Sequence, residues 1–184
     1  MKDEQPSDVD AMWAGLVSRA ARVLLMRRGI GYFRLVHELA RRGITESIES
    51  VEEKINRGTF RFTFFLQLSE ATGSTAMPSW MDAWETADSW EDCASAILKK
   101  ELSVQPWITP TVLTERLQHI GIHLAPEDLR FQIEQGSFTT ALFFQCATVC
   151  FFGDFLSLFL DPSDVNAVAF EGSRRSIGPG EAPP

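Results

Sequence analysis

The sequence predicts an all-α protein made of two tandem four-helix domains related by internal duplication. Three observations carry this reading. Apolar residues recur at three- and four-residue spacing through most of the chain, the period of a buried helical face. The stretch Lys54-Ile55-Asn56-Arg57-Gly58-Thr59-Phe60 returns 78 residues later (Lys54 to Gln132) as Gln132-Ile133-Glu134-Gln135-Gly136-Ser137-Phe138. Both copies then run into an aromatic segment, Phe64-Phe65-Leu66-Gln67 and Leu142-Phe143-Phe144-Gln145.

Residues 1–9 read as a flexible lead-in, and the first repeat spans 10–73. Asp10 is expected to cap a helix through Trp13, Leu16, Val17, Ala20, Val23 and Leu24 to Arg28, stopped by Gly29 and Gly31. A second helix, Tyr32 to Arg42, is expected to turn Phe33, Val36, Leu39 and Ala40 inward. Arg41 and Arg42 fall in its last turn, where cations suit the helix dipole. A third helix from Ser47 or Ser50 to Arg57 buries Val51 and Ile55. Gly58 forces a turn, and a fourth helix from Thr59 or Arg61 runs through Phe62, Phe65, Leu66 and Leu68 to Gly73. Residues 74–89 form an acidic, Trp-containing join; its Trp80, Met81 and Trp84 are too apolar for a free linker and are expected to pack on the domains. Asp82, Glu85, Asp88, Glu91 and Asp92 make this region strongly acidic.

From Trp90 the pattern restarts, giving a second, divergent repeat over 90–160. A gap-free shift of 78 pairs Leu24 with Leu102, Ile30 with Ile108, Leu35 with Leu113, Leu39 with Leu117 and Gly43 with Gly121. It also pairs Ile44 with Ile122, Glu49 with Glu127, Ile55 with Ile133, Gly58 with Gly136, Phe60 with Phe138, Phe65 with Phe143 and Gln67 with Gln145. These twelve identities fall on helix faces and turn glycines. The segment 161–184 shows no periodic apolar face and reads as a flexible tail, disordered beyond Phe170.

Composition narrows the function classes. A hydrophobic content of 45% with 23% charged residues is ordinary for a globular protein with a real core. A net charge of -8 argues against indiscriminate coating of nucleic acid. The charge is uneven, because residues 16–73 hold ten basic groups against six acidic ones, a surplus of four, leaving -12 for the rest. Cys93, Cys146 and Cys150, behind an acidic start unlike a signal peptide, read as reduced thiols and imply a cytoplasmic location. The apolar run Ala141 to Leu160 is long enough to raise a membrane span. Gln145, Gly153 and Asp154 interrupt it, so the expectation is a buried helix and no membrane.

Glu38-Leu39-Ala40 and Gly43, followed by the Lys54–Phe60 stretch and Phe64-Phe65-Leu66-Gln67, resemble a small bacterial domain family of unknown function. That family opens with a Trp and a Leu-rich helix, matched by Trp13 with Leu24-Leu25 and by Trp90 with Leu98 and Leu102. The resemblance covers about 60 residues in each half. The second copy departs at Glu134-Gln135-Gly136 and at Thr114-Glu115-Arg116. More distantly, the order of parts is similar to Cro and lambda-repressor type helix-turn-helix domains. Leu39-Ala40, Ile55-Asn56-Arg57-Gly58 and the Leu66 to Gly73 helix fit those places. The resemblance thus implies two tandem helix-turn-helix-like four-helix domains and a bacterial DNA-associated regulator.

On that reading the third helix enters the major groove, with Lys54, Asn56 and Arg57 on bases or phosphates. Glu46, Glu49, Glu52 and Glu53 crowd the same helix and oppose a polyanion. The alternative is a solvated face, with the glutamates favouring the helix dipole. Arg27, Arg28, Arg34, Arg41, Arg42 and Arg61 form a second electropositive set, suited to duplex DNA or to an acidic protein partner. An interaction or scaffold module without nucleic-acid binding is therefore the rival function. In the second repeat Phe144, Phe151, Phe152, Phe155 and Phe159 exceed what one small bundle needs, and they are expected to mediate assembly, as the seam between copies or a homodimer surface. Gly121 breaks the spacing of His119 and His123, and Cys146 and Cys150 lie in an apolar run. Neither a metal nor another cofactor is therefore expected. No catalytic constellation stands out, so the protein is not expected to be an enzyme.

Overall fold

Ser7 accepts a hydrogen bond from the Asp10 amide, and the Asp10 carboxylate accepts one from the Ser7 amide, a reciprocal cap that begins α1 (Asp8–Arg28). Asp10 thus belongs to the first turn, and the cap is Ser7. The computed structural model describes residues 7–74 and 78–176. After α1 come α2 (Tyr32–Ala40), α3 (Ile48–Arg57), α4 (Phe62–Ala71), α5 (Met81–Thr86) and α6 (Trp90–Ser103). Then follow α7 (Pro110–Gln118), α8 (Pro126–Gln135), α9 (Thr140–Cys150) and α10 (Pro162–Ser176), with no β-strand among the described residues. The expected all-α duplication is what the chain adopts. No helix among the described residues is long and apolar enough to cross a membrane, because the run from Ala141 breaks after α9.

The two repeats are interlocked. Each first helix packs on the third helix of its own repeat and on the last helix of the other: α1 on α3 and α9, α6 on α8 and α4. α4 and α9 meet in the middle. Between them Arg61 and Thr139, equivalent under the 78-residue shift, form an isolated antiparallel bridge. The Phe62 amide donates to the Phe138 carbonyl and the Thr140 amide to the Phe60 carbonyl, both at 3.0 Å. Reciprocal bonding of equivalent residues is the mark of a local twofold axis, so the chain is built like a dimer joined into one polypeptide.

Gly58 and Gly136 explain why the motif repeats. Each ends its helix in the left-handed region, at φ 67° and 59°. A Cβ on Gly58 would strike the Ala14 carbonyl, and one on Gly136 would strike the Glu91 carbonyl. These contacts also reset the alignment of the first helices. Ala14 and Glu91 are 77 apart, and at that shift buried Leu16, Val17, Ala20 and Ala21 fall on buried Cys93, Ala94, Ile97 and Leu98. The repeat therefore carries a one-residue gap between its first and second helices, and Leu24 is not the structural partner of Leu102.

A single aromatic core runs across the axis. Phe62 stacks on Phe143 with centroids 4.0 Å apart, and Phe65 meets Phe144, Phe155 and Phe159 edge-on. Trp80, from the join, is buried against Phe62, Phe143 and Phe155 and donates its indole N–H to Glu101 at 2.7 Å. Four of the five phenylalanines expected to mediate assembly are absorbed here. Phe144, Phe152 and Phe155 are buried and Phe159 half-buried; Phe144, Phe155 and Phe159 meet Phe65 of the other copy, as a seam between copies requires, while Phe152 packs on Phe143 of its own copy.

Two further expectations need correction. Phe33 is 79% exposed, because α2 buries Leu35 and Leu39, and Phe33 lies about 200° round the helix from Leu35 at 3.6 residues per turn. The segment expected to be a flexible tail contains α10. Val165, Val168, Ala169 and Gly172 make a four-residue stripe at i, i+3, i+4 and i+7, disguised by its small residues. Gly172 lies so close to the Ile120 carbonyl that a Cβ would collide with it, while Asp164 pairs with Arg19 and Arg175 with Asp8. The remainder of that segment, 177–184, lies outside the described residues, as do 1–6 of the lead-in and 75–77 of the join.

Phe151 is the single non-glycine residue at positive φ among the described residues, at 55°, and it stands where the first repeat has Gly73 at 62°. It is 83% exposed. Its side chain thus recovers little burial for a conformation that costs an L-residue about 1–2 kcal/mol. Phe151→Gly is expected to stabilise the protein by about 1 kcal/mol, read as a higher urea midpoint. An unchanged or lower midpoint would show that the phenyl ring has packing value there.

Candidate anion-binding site

Ser47 caps α3 through the Ser50 amide at 3.0 Å, and Val51 and Ile55 fix the helix to the core. That leaves Glu49, Glu52, Glu53, Asn56 and Arg57 facing solvent. At the C-terminal end of α3 the chain turns through Gly58 into α4. Around this corner Lys54, Arg57 and Arg61 line one hollow of about 390 Å³ with Thr59, Thr63 and Gln67. The Lys54 ammonium pairs with Glu46 and sits 5.2 Å from the centroid of the Phe64 ring. Partial burial pushes the Glu46 carboxyl up, but hydrogen bonds from Lys54 and Ser50 outweigh it and leave the carboxyl below its ordinary range. Arg57 reaches Glu53 at 3.5 Å, and Arg61 makes no ion pair among the described residues.

Asn56 faces solvent but is already engaged, since its Oδ1 accepts a 2.7 Å hydrogen bond from Arg22 of α1. Arg22, Thr59, Thr63 and Gln67 were not among the residues the sequence singled out. A signal existed for this corner: Arg61 precedes α4 where Thr139 precedes α9. The Thr139 hydroxyl caps α9 through the Leu142 amide at 3.1 Å, whereas no side chain caps α4.

The arginine set does not converge as a whole. Arg28 donates to the Gly73 carbonyl at 2.5 Å and Arg42 to the Glu70 carbonyl at 3.3 Å, both at the opposite end of α4. In the second copy Gln105 and Arg116 do the same for α9, on the Cys150 and Val149 carbonyls. Both copies therefore satisfy the orphan carbonyls of this helix end, with or without charge, so Arg28 and Arg42 serve as caps. Arg42 also pairs with Glu38 at 3.0 Å and holds that carboxyl below its usual range. Arg41 reaches the same Glu38 at 3.6 Å. Arg27 and Arg34 are exposed, make no ion pair among the described residues and do not line the hollow.

The second copy has none of this chemistry. Lys54, Arg57 and Arg61 correspond to Gln132, Gln135 and Thr139. No group of three or more His, Cys, Asp or Glu side chains suited to a metal ion occurs among the described residues. Cys93, Cys146 and Cys150 are free and buried.

Fold and site together define an all-helical tandem-repeat protein with one cationic corner on its first repeat. The chain belongs to the family described as Domain of unknown function (DUF6471), which matches it twice, over residues 13–77 and 90–150. No curated protein matches the chain, and neither does any solved structure.

Proposed function

We propose that the protein is a DNA-associated regulator of the bacterial cytoplasm, in which the first repeat contacts duplex phosphates and the second serves as scaffold. The observation that carries this is the asymmetry of the duplication. Three cations line one hollow in the first copy, and three neutral residues replace them in the second. α2 and α3 stand in the order of a helix-turn-helix pair. The outward glutamates of α3 oppose deep insertion into a groove, so contact runs through the end of the helix: Arg57, Arg61 and Lys54 against the backbone. Phosphate contact of this kind orients a protein and carries no sequence information by itself.

A second reading is favoured by the ion pairs of Lys54 with Glu46 and of Arg57 with Glu53. A corner already holding carboxylates can exchange them for those of an acidic protein partner. A labelled duplex titrated with the full chain across a salt series tests the first reading. Installing the residues of the second copy, Arg57→Gln with Arg61→Thr, is expected to weaken binding. The slope of log K against log salt should fall by about 0.9 per lost cation, roughly 2 in all. Duplex binding without salt dependence, or unaffected by the double substitution, overturns the DNA reading. Retention of polyglutamate but not of duplex supports the acidic partner.

A further inference from the structure

The acidic join holds a second hollow, independent of the cationic corner. Trp84 of α5 and Trp90 of α6 stand at 88° with centroids 5.9 Å apart. Both line a cavity of about 300 Å³ together with Glu70, Asp88 and the buried thiol of Cys93. The counterpart of Trp90 in the first copy, Trp13, is completely buried. α10 packs along α1, whereas the short α5 lies against α6 and leaves Trp90 half-open.

The lining decides what fits. Two acidic residues and two tryptophans border the space, and no Lys or Arg is among its lining residues. Glu70 is shared with Arg42, 3.7 Å away, while Asp88 makes no ion pair among the described residues. Burial and the nearby Glu70 charge push the Cys93 thiol up to about 11, so it is a neutral wall. Glu85, Glu91 and Asp92, next to the two tryptophans in sequence, add to the negative charge of this segment. Anions are repelled by this set. A strongly hydrated metal ion needs several converging oxygen ligands, and no such group is present among the described residues. A cation with an apolar shell matches both the aromatic faces and the carboxylates, since indole attracts positive charge more strongly than other rings.

We propose that this cavity binds a quaternary or methylated ammonium group, held against Trp84 and Trp90 and balanced by Glu70 and Asp88. The same chemistry has two sources, a free small molecule such as choline and a methylated lysine side chain. The experiment titrates the full chain by calorimetry, and by the indole N–H signals in NMR, with choline and with its neutral isostere 3,3-dimethylbutan-1-ol. A trimethyl-lysine peptide and its unmodified form make the second arm. The expected result is that choline or the trimethylated peptide binds at least about tenfold tighter than its neutral or unmodified control. Two indole signals should shift on binding. Whichever arm responds identifies the source. Asp88→Asn, at an exposed position outside the core, should weaken binding severalfold while leaving the thermal midpoint unchanged. Trp84→Ala should abolish it. Equal binding of charged and neutral probes, or no binding of either cation, overturns the proposal.

Discussion

Gly58→Ala is expected to destabilise the protein by about 4 kcal/mol or more, enough to threaten the fold of a typical domain. Two costs combine. Alanine at φ 67° bears the left-handed penalty of about 1–2 kcal/mol. Its Cβ also runs into the Ala14 carbonyl, which belongs to a helix backbone and cannot rotate away. Gly136→Ala should behave alike, because its Cβ meets the Glu91 carbonyl in the matching place. Gly43→Ala supplies the control. Gly43 shares the positive φ, at 78°, but an added Cβ meets nothing within 4 Å, so only the conformational penalty remains. Urea midpoints of the three variants separate the terms. If Gly58→Ala costs no more than Gly43→Ala, the close approach of α1 to the α3 turn is wrong.

Phe143→Ala is expected to cost about 3–5 kcal/mol, the usual range for emptying a core aromatic site. The ring is fully buried and touches all three parts of the chain: Phe62 in the first repeat, Trp80 in the join and Phe155 in its own repeat. Loss of stability should therefore be felt by both copies together. Phe131→Ala, on the exposed face of α8, should stay within about 0.5 kcal/mol. Equal effects of the two substitutions would contradict the placement of Phe143 on the axis.

Helices and turns were legible in the sequence, because glycine stops and three- and four-residue spacing act locally. Leu39, Val51 and Ile55 were assigned to the core on that basis and lie there. Periodicity says that a face is buried; it does not say against which copy. The exchange of α4 and α9 between the repeats was therefore invisible, and the phenylalanines beside it read equally as a seam between copies or as a homodimer surface. α10 was missed because its contact stripe uses Ala169 and Gly172, whose value lies in close backbone approach. Phe33 was placed inward because a large apolar residue normally is.

The site was legible in kind and illegible in place. Lys54, Arg57 and Arg61 were singled out by charge, and the structure groups them at one corner. Arg28 and Arg42 were singled out on the same ground, yet they cap α4 through carbonyls 45 and 28 residues away. Such long-range backbone contacts leave no local trace. Trp84 was read as a packing residue and Trp90 as the opening of the second repeat; their common cavity is visible only in the structure.

Interlocking has a direct thermodynamic consequence. When each first helix packs on the last helix of the other repeat, neither repeat keeps a complete core alone, and both should unfold together. Differential scanning calorimetry of the full chain tests this most directly. The expected result is one transition whose calorimetric and van't Hoff enthalpies agree. Two resolved transitions, or a calorimetric enthalpy near twice the van't Hoff value, would mean two independent domains and would contradict the joined-dimer fold.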